Sequence, residues 1–593
     1  MKNTKLNKES IAGSSRTGNG NIFYSEKAHC LFLFFSTLLL YSQTSSFGFN
    51  LDDEIIQLII SRIDSNWDGI KTIFIQEFGK YDYRPITVFV FWLESKIFGA
   101  ISPGISHVIN SVLYAFLSVQ IYRYIIFLRF VNDKKMNVIF AFFAVLFFVV
   151  HPNHVSVVAN IKSRDNILSM LFGILSNIQM LKYLADRKKI RILYFVLLFT
   201  LALLSKYDAY VFGFLPILYV ILYKGEFKKN ILSLLLLSAL LMVVFTLHNF
   251  LIQEVIGIDN VRPVVDSPLA NAHSYLDIVS LSLTSLFYYI KFSVLPFGHY
   301  FYFGYNQIPL AKLWDFKNIL AIFTVLAVLG YSIYRYKENK AYLFMMLFYG
   351  GAILYALNFF VPVSGIVMDR YNFIASLAFC MFYVLVIIDS YGTGNKLYIG
   401  LLVIPVFAIF TIVRTSDWRS KEKLYNADIK HLENSAHANY LLGALYVNNA
   451  LFDNVTKADA DNMVDKGEYY IDKSIAINPN ITTSLEGKGV CQLYKGRYTD
   501  ALYYFGKTLQ IDSNYISASH YMALSYRDLA KNDSADYWFR YTFSNMKYGN
   551  VRYIENYLNF LHSVGRSSEI DSTIKVFKQR WPNNKDIETL VLN

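Results

Sequence analysis

About eleven apolar stretches, each near the length a helix needs to cross a bilayer, occupy residues 30–413, and they constrain this chain more than any other feature. They run near 30–47, 107–129, 137–150, 166–184, 190–205, 208–223, 230–250, 317–335, 341–361, 371–390 and 396–413. Segments of that kind must satisfy their backbone hydrogen bonds internally, which predicts an all-α, polytopic membrane domain. Composition agrees: 54% of the 593 residues are hydrophobic, and 49 Phe and 46 Tyr suit lipid-facing surfaces and interfacial belts. A formal charge of +12 would otherwise suggest nucleic acid. Here the cations fall in short clusters between apolar stretches, at 129–135, 187–191, 224–229 and 335–340, the pattern of cytoplasmic loops, so no nucleic-acid partner is expected. Cys30, Cys380 and Cys491 are far apart, and neither a disulfide framework nor a metal site is indicated.

Charge placement then sets the topology. Residues 1–28 are polar and read as a cytoplasmic tail, because no convincing small-residue cleavage site follows the first apolar stretch. Residues 29–413 form the membrane domain, in which 48–105 is a long first outer loop with short helices along the membrane. The stretch 277–296 breaks the alternation of basic loops. Reading it as re-entrant or interfacial leaves about eleven crossings and puts the chain after residue 413 on the outer side. The expected location is a bacterial inner membrane, with the N-terminus cytoplasmic.

Residues 414–593 change to a soluble helical pattern with a 34-residue period. Gly489 and Ala523, Ala501 and Ala535, and Phe505 and Phe539 are each one period apart. Small residues there let paired helices approach closely, and the Phe fills the gap between repeats. Gly467 and Ile471 continue the pattern one period earlier. Their partner helix, near 437–450 with Gly443, is displaced by an insertion around 451–462. The reading is a tetratricopeptide-repeat α-solenoid of at least three repeats, with a divergent helical end and a concave binding surface.

Every polar cluster embedded in apolar sequence falls on the expected outer face. Leu51-Asp52-Asp53-Glu54 is either a helix N-terminus that welcomes negative charge or a catalytic carboxylate at the membrane surface. Arg84-Pro85 is a turn with a cation. His151 and His154 could bind a metal in principle, but Pro152 argues against a regular helix and no acid completes a ligand set, so hydrogen bonding to a phosphate or sugar is preferred. Arg164-Asp165 is an interfacial ion pair or an arginine oriented toward a lipid phosphate. Lys206-Tyr207-Asp208 is a snorkelling pair or part of a polar floor, and Asp369-Arg370 has the same two readings. Together they supply an acid cluster and several cations around one cavity, which suits transfer from a lipid phosphate.

Taken in order, Leu51-Asp52-Asp53, Tyr83-Arg84-Pro85, His151-Pro152-Asn153-His154 through Ser163-Arg164-Asp165, Gly304-Tyr305-Asn306-Gln307-Ile308-Pro309, Asp369-Arg370-Tyr371 and Arg414-Thr415-Ser416-Asp417-Trp418-Arg419 resemble the transmembrane and tetratricopeptide repeat-containing O-mannosyltransferases and their bacterial relatives. The resemblance implies a fold-C type glycosyltransferase. Such an enzyme takes a polyprenyl-phosphate-linked sugar as co-substrate, mannose in that family, needs no metal or other cofactor, and works on the exoplasmic face. An acid of the first outer loop acts as base toward a Ser or Thr hydroxyl, and the transfer inverts the anomeric centre. Carried onto this chain, the base is Asp52, with Asp53 the alternative. Arg164, then Arg84 and Arg370, would hold the donor phosphate, and His151 and His154 would line the same site beside Asp165, Lys206, Asp208 and Asp369. The acceptor polypeptide would be held by the repeats, and membrane lipids are further partners. The chain departs from the family at Lys206-Tyr207-Asp208, where Lys-Glu is usual: either the acid has moved to Asp208 or the pocket differs. Two other readings fit the same pattern, glycan transfer onto an envelope lipid or polysaccharide and a non-catalytic membrane-anchored repeat scaffold.

Overall fold

The structure, a computed structural model, describes residues 25–64, 66–75, 83–223, 269, 272, 274–360, 363, 365–392, 396–547, 549–581 and 587. Among these the fold is helical, with no strand beyond isolated bridges from Phe303 to Ile366 and Val367. The apolar stretch 230–250, the basic cluster 224–229 and most of the 1–28 tail lie outside the described residues.

Among the described residues five helices are long and apolar enough to cross a membrane: Pro103–Leu128, Arg164–Asp186, Phe316–Lys337, Asp369–Tyr391 and Leu397–Asp417. Lys134–Val149 and Pro152–Val158 are a bent apolar pair, 55° apart, of the kind made by a broken span or a re-entrant loop. The break falls where Pro152 can donate no backbone hydrogen bond. Ile190–Ser205, Tyr207–Tyr223 and Ala341–Leu357 are apolar but shorter. The chain is a multi-pass membrane protein. Pro103–Leu128, Lys134–Val149, Arg164–Asp186 and Phe373–Tyr391 supply much of the buried core, whereas Phe323 and Leu326 of Phe316–Tyr334 are exposed, as a lipid-facing helix requires.

Two stretches differ in form from the apolar pattern. The first is helical only over Glu26–Leu40 and continues as a 3-10 turn at Ser42–Ser46, where the Thr44 hydroxyl donates to the Tyr41 carbonyl at 2.8 Å. Hydroxyls that reach back to the backbone compete with a regular helix. The 277–296 stretch is the helix Tyr275–Val294, which is not among those apolar enough to cross. Its Ser280, Thr284 and Ser285 are buried against Asn318 and Asn358, with Thr284 Oγ1 donating to Asn318 Oδ1 at 2.8 Å and Asn358 Nδ2 donating to Ser285 Oγ at 3.2 Å.

The 34-residue period becomes two helix pairs with matching lengths and spacing. Thr482–Tyr494 and Tyr498–Ile511 recur as Ile516–Asp528 and Asn532–Asn545. Ahead of them Ala436–Phe452 packs on Lys457–Ile477, a longer second helix that absorbs much of the insertion. A Cβ on Gly443 would lie 2.7 Å from the Gly467 carbonyl oxygen, and one on Gly489 would lie 2.4 Å from the Phe505 ring. These two crossings exclude any larger side chain. Gly489→Leu is therefore expected to cost about 1–3 kcal/mol by overpacking, read as a lower melting temperature of the purified chain.

The same register exposes one strained residue. Gly496, in the turn between the two helices of the first pair, has φ +71°, and Ala530, one period later, takes φ +55°. Ala530→Gly is expected to relieve left-handed strain and raise stability by up to about 1 kcal/mol, a gain of a few degrees in thermal unfolding.

Segments between the two regions lock together. Arg414 donates to both carboxylate oxygens of Asp428 at 2.7 Å, and Asp428 also accepts from the Phe301 backbone N–H at 2.8 Å. The 304–309 motif docks on the start of the repeats, where the Tyr305 carbonyl accepts from Ala436 N and Gln307 Nε2 donates to the His431 carbonyl. The first loop is pinned to the same joint: Asn50 Nδ2 donates to the Trp418 carbonyl, and Glu54 pairs with Lys421 at 2.6 Å.

Candidate active site

Asp52 and Asp53 sit in a turn between that joint and the helix Glu54–Ser61. Adjacent in sequence, they have different jobs. Asp53 is fully buried and each oxygen accepts a backbone N–H, Oδ1 from Lys162 at 2.8 Å and Oδ2 from Asn50 at 2.9 Å. It ties the first loop to the 151–163 loop. Asp52 keeps 29% of its side chain exposed and pairs through Oδ2 with Lys162 Nζ at 2.5 Å. Its Oδ1 is itself buried and has no hydrogen-bond partner among the described residues.

The two carboxyls also titrate apart. Burial alone would raise Asp52, but the Lys162 ammonium and the Arg370 guanidinium outweigh it and hold the group down at about 2. For Asp53 burial wins over the two N–H groups and pushes it up to about 7. Asp52 is thus the carboxylate ionised at neutral pH with an oxygen to spare.

A second polar chain continues from there. Arg84, the residue before the helix Pro85–Phe98, donates through Nη1 to Asp165 Oδ2. Asp165 Oδ1 accepts from Asn166 Nδ2 at 2.6 Å, and Asn166 Oδ1 accepts from Lys206 Nζ. Lys206 lies 3.2 Å from Asp208, whose other oxygen accepts from Ser169 at 2.8 Å. The turn Tyr207–Tyr210 is a 3-10 helix, which brings Asp208 back onto Lys206 although one residue separates them. Arg370, at the mouth of Phe373–Tyr391, is near enough to act electrostatically on both Asp52 and Lys206. Four cations, Arg84, Lys162, Lys206 and Arg370, therefore face three carboxylates, Asp52, Asp165 and Asp208, in one cluster.

Four other residues singled out from sequence have different partners. Arg164 is fully buried: Nη1 donates to Glu94 at 2.5 Å, Nε to Asn110 at 2.7 Å and Nη2 to the Ser106 carbonyl at 3.1 Å, with the guanidinium over the Phe91 ring. It staples three helices together, and its donors are taken by Glu94, Asn110 and Ser106. His151 donates through Nε2 to the Ser293 carbonyl at 3.0 Å while Nδ1 accepts from Asn153 N. His154 is held between Tyr114 at 2.7 Å and Ser376 at 2.8 Å. Both imidazoles are wholly buried braces at the bent pair. Asp369 pairs with His299 at 2.9 Å.

Sequence reasoning missed Lys162, Asn166, Glu94 and His299. Lys162 stood inside a quoted motif, and its two contacts with the acid turn, one from backbone and one from side chain, are the most direct link between the two loops. Glu94, an acid within an apolar helix, was the signal for a buried partner.

Comparison with known proteins adds the relatives. Protein O-mannosyl-transferase F38B6.6 of Caenorhabditis elegans is 23% identical over 418 residues, 67% of this chain and 57% of that protein. Protein O-mannosyl-transferases TMTC3 and TMTC4 of Mus musculus are 25% and 24% identical, covering 66% and 61% of this chain and 46% and 55% of their own length. The chain is similar to protein O-mannosyl-transferases. It spans about half the length of the curated relatives it matches. No family model matches it. Among solved structures, the Archaeoglobus fulgidus oligosaccharyltransferase in its apo form aligns with a TM-score of 0.38 at 14% identity, over 75% of this chain and 60% of that one, a likeness too loose to carry an inference.

Proposed function

We propose that this chain is a membrane glycosyltransferase that moves a sugar, mannose by analogy with its relatives, from a polyprenyl-phosphate donor to Ser or Thr hydroxyls of exported proteins. The observation that carries the reading is the Asp52 carboxylate: ionised, fixed through Oδ2 by Lys162, and unpartnered at Oδ1 inside a cluster of cations. In this reading the acceptor hydroxyl sets its proton toward Asp52 Oδ1 as its oxygen attacks the anomeric carbon opposite the phosphate. The bond from that carbon to the phosphate oxygen breaks, the lipid phosphate leaves with the electron pair, and the configuration inverts. Asp52 takes the proton late, which suits a weak base acting on a poor nucleophile. Arg370, Arg84 and Lys206 stabilise the departing phosphate, the part first given to Arg164.

The finer features belong to the same proposal. In this reading the Asp52 cluster and the region from 414 onward lie on the exoplasmic face of a bacterial inner membrane, as the basic loops of the sequence suggest. The recurring helix pairs act as tetratricopeptide repeats and receive the acceptor polypeptide. Donor and acceptor are substrates, and the chemistry described calls on no cofactor.

The pH profile separates the two acids. With Asp52 as base, kcat/KM for transfer to a Ser/Thr peptide is expected to stay flat from about pH 8 down to about pH 5, because the group loses its charge only near 2. With Asp53 as base, activity would fall as the pH dropped through about 7, where that group gains its proton.

A further inference from the structure

A groove of about 350 Å³ runs along the first helices of successive pairs, Thr482–Tyr494, Ile516–Asp528 and Val551–Ser563. At its centre His520 is 1% exposed and stacks on Tyr553 with ring centroids 3.9 Å apart. Its Nε2 accepts from Asn556 Nδ2 at 3.0 Å. With the Asn556 amide assigned in this orientation the ring proton sits on Nδ1, and Nδ1 has no partner among the described residues. Burial, with the Arg527 and Arg552 charges, holds the imidazole down at about 3, so the ring is neutral at any working pH. A buried donor without an acceptor is costly, and a ligand oxygen would recover that cost.

The rest of the lining narrows the ligand. The aromatic faces are largely used internally, Tyr553 against His520 and Tyr521 against Phe505. A pyranose, which needs a bare ring to stack on, is poorly served; edges, hydroxyls and the Asn556 amide suit a neutral backbone. One cation completes the groove. Arg552 is exposed, stacks over Phe452 with its guanidinium 4.1 Å from the ring centroid, and has no carboxylate within ion-pair distance among the described residues.

We infer that this groove binds an extended polypeptide that places a backbone carbonyl on His520 and an acidic side chain on Arg552. An extended strand spans several first helices and presents the carbonyls that an orphan donor needs. The inference rests on the reading that the repeats receive the acceptor, and it adds which residues read it and what chemistry they select.

Fluorescence anisotropy with the full chain in detergent tests this. One probe is a fluorescein-labelled dodecapeptide of Ser, Thr, Gly and Asp; the second has Asn at every Asp, and mannotriose is the competitor. Wild type is expected to bind the acidic peptide about tenfold tighter than the neutral one, a difference of about 1.4 kcal/mol. Arg552→Glu should erase that preference, while His520→Phe and Asn556→Ala weaken both peptides roughly three- to tenfold. Arg552 is on the surface, so its variant keeps the test open if His520→Phe fails to fold. Equal binding of both peptides by wild type and by variants that melt normally overturns the inference, as does displacement by mannotriose. Asp52→Asn should bind the peptide like wild type. Sugar transfer without the expected peptide pattern sinks the groove alone; the peptide pattern without sugar transfer sinks the enzymatic reading alone.

Discussion

Asp52→Asn is expected to lower kcat/KM for sugar transfer by about 10²–10⁴, the usual worth of a positioned general base, in a protein that still inserts and melts close to wild type. The amide keeps the shape of the carboxylate but cannot take a proton. Its structural cost is small, because the partly exposed pair with Lys162 contributes about 0–1 kcal/mol. Lys162→Met tests the same geometry from the other side. It leaves Asp52 in place but removes the group that fixes Oδ2 and holds the carboxyl low, so activity falls and the acid limb of the pH profile moves upward. Asp53→Asn should behave differently. Its amide nitrogen would face a backbone N–H from Lys162 or Asn50, costing about 1–3 kcal/mol in stability. Full transfer activity in the Asp52 variant would remove the base from the mechanism.

Arg164→Met is expected to be the most damaging single change to the fold. It strands the Glu94 charge among Phe91, Asn110 and Ser106, and breaking a buried pair in this way costs about 3–5 kcal/mol. Much of the protein should be lost to aggregation or proteolysis before any assay. The double variant Arg164→Met with Glu94→Leu removes both charges and should recover most of the folded yield, since a buried pair replaced by apolar groups is often near neutral. The outcome decides between two roles. A single variant that folds normally but needs more lipid-phosphate sugar to saturate would return Arg164 to the donor site.

The parts legible in the sequence were those that local physics writes into one segment. A stretch such as 166–184 has nowhere to go but a helix, and the helix Arg164–Asp186 follows it within two residues at each end. The 34-residue period was equally legible, because Gly443, Gly467 and Gly489 sit at helix contacts that admit only small residues. The site was only half legible. Asp52, Arg84, Lys206 and Arg370, which the structure gathers in one cluster, stand out in the sequence because charged residues at the ends of apolar helices are costly. Which charge meets which is a tertiary property. Nothing local distinguishes Arg84, which reaches Asp165, from Arg164, which turns back onto Glu94 some 70 residues earlier. The histidines misled for the same reason: a His-Pro-Asn-His segment looks poised for a ligand until Tyr114, Ser293 and Ser376 fill its hydrogen bonds.

Identifying the product of a reconstituted reaction tests the account most directly. The purified chain in liposomes is given a β-linked mannosyl-phosphate polyprenol and a Ser/Thr peptide, and the peptide is analysed by mass spectrometry and by NMR of the anomeric proton. A single hexose on a hydroxyl, α-linked, is the predicted result, because one displacement assisted by Asp52 turns the sugar over. A β-linked product would mean retention, by a covalent sugar intermediate or a front-face displacement, and an unmodified peptide would leave Asp52 without a reaction; either contradicts the account.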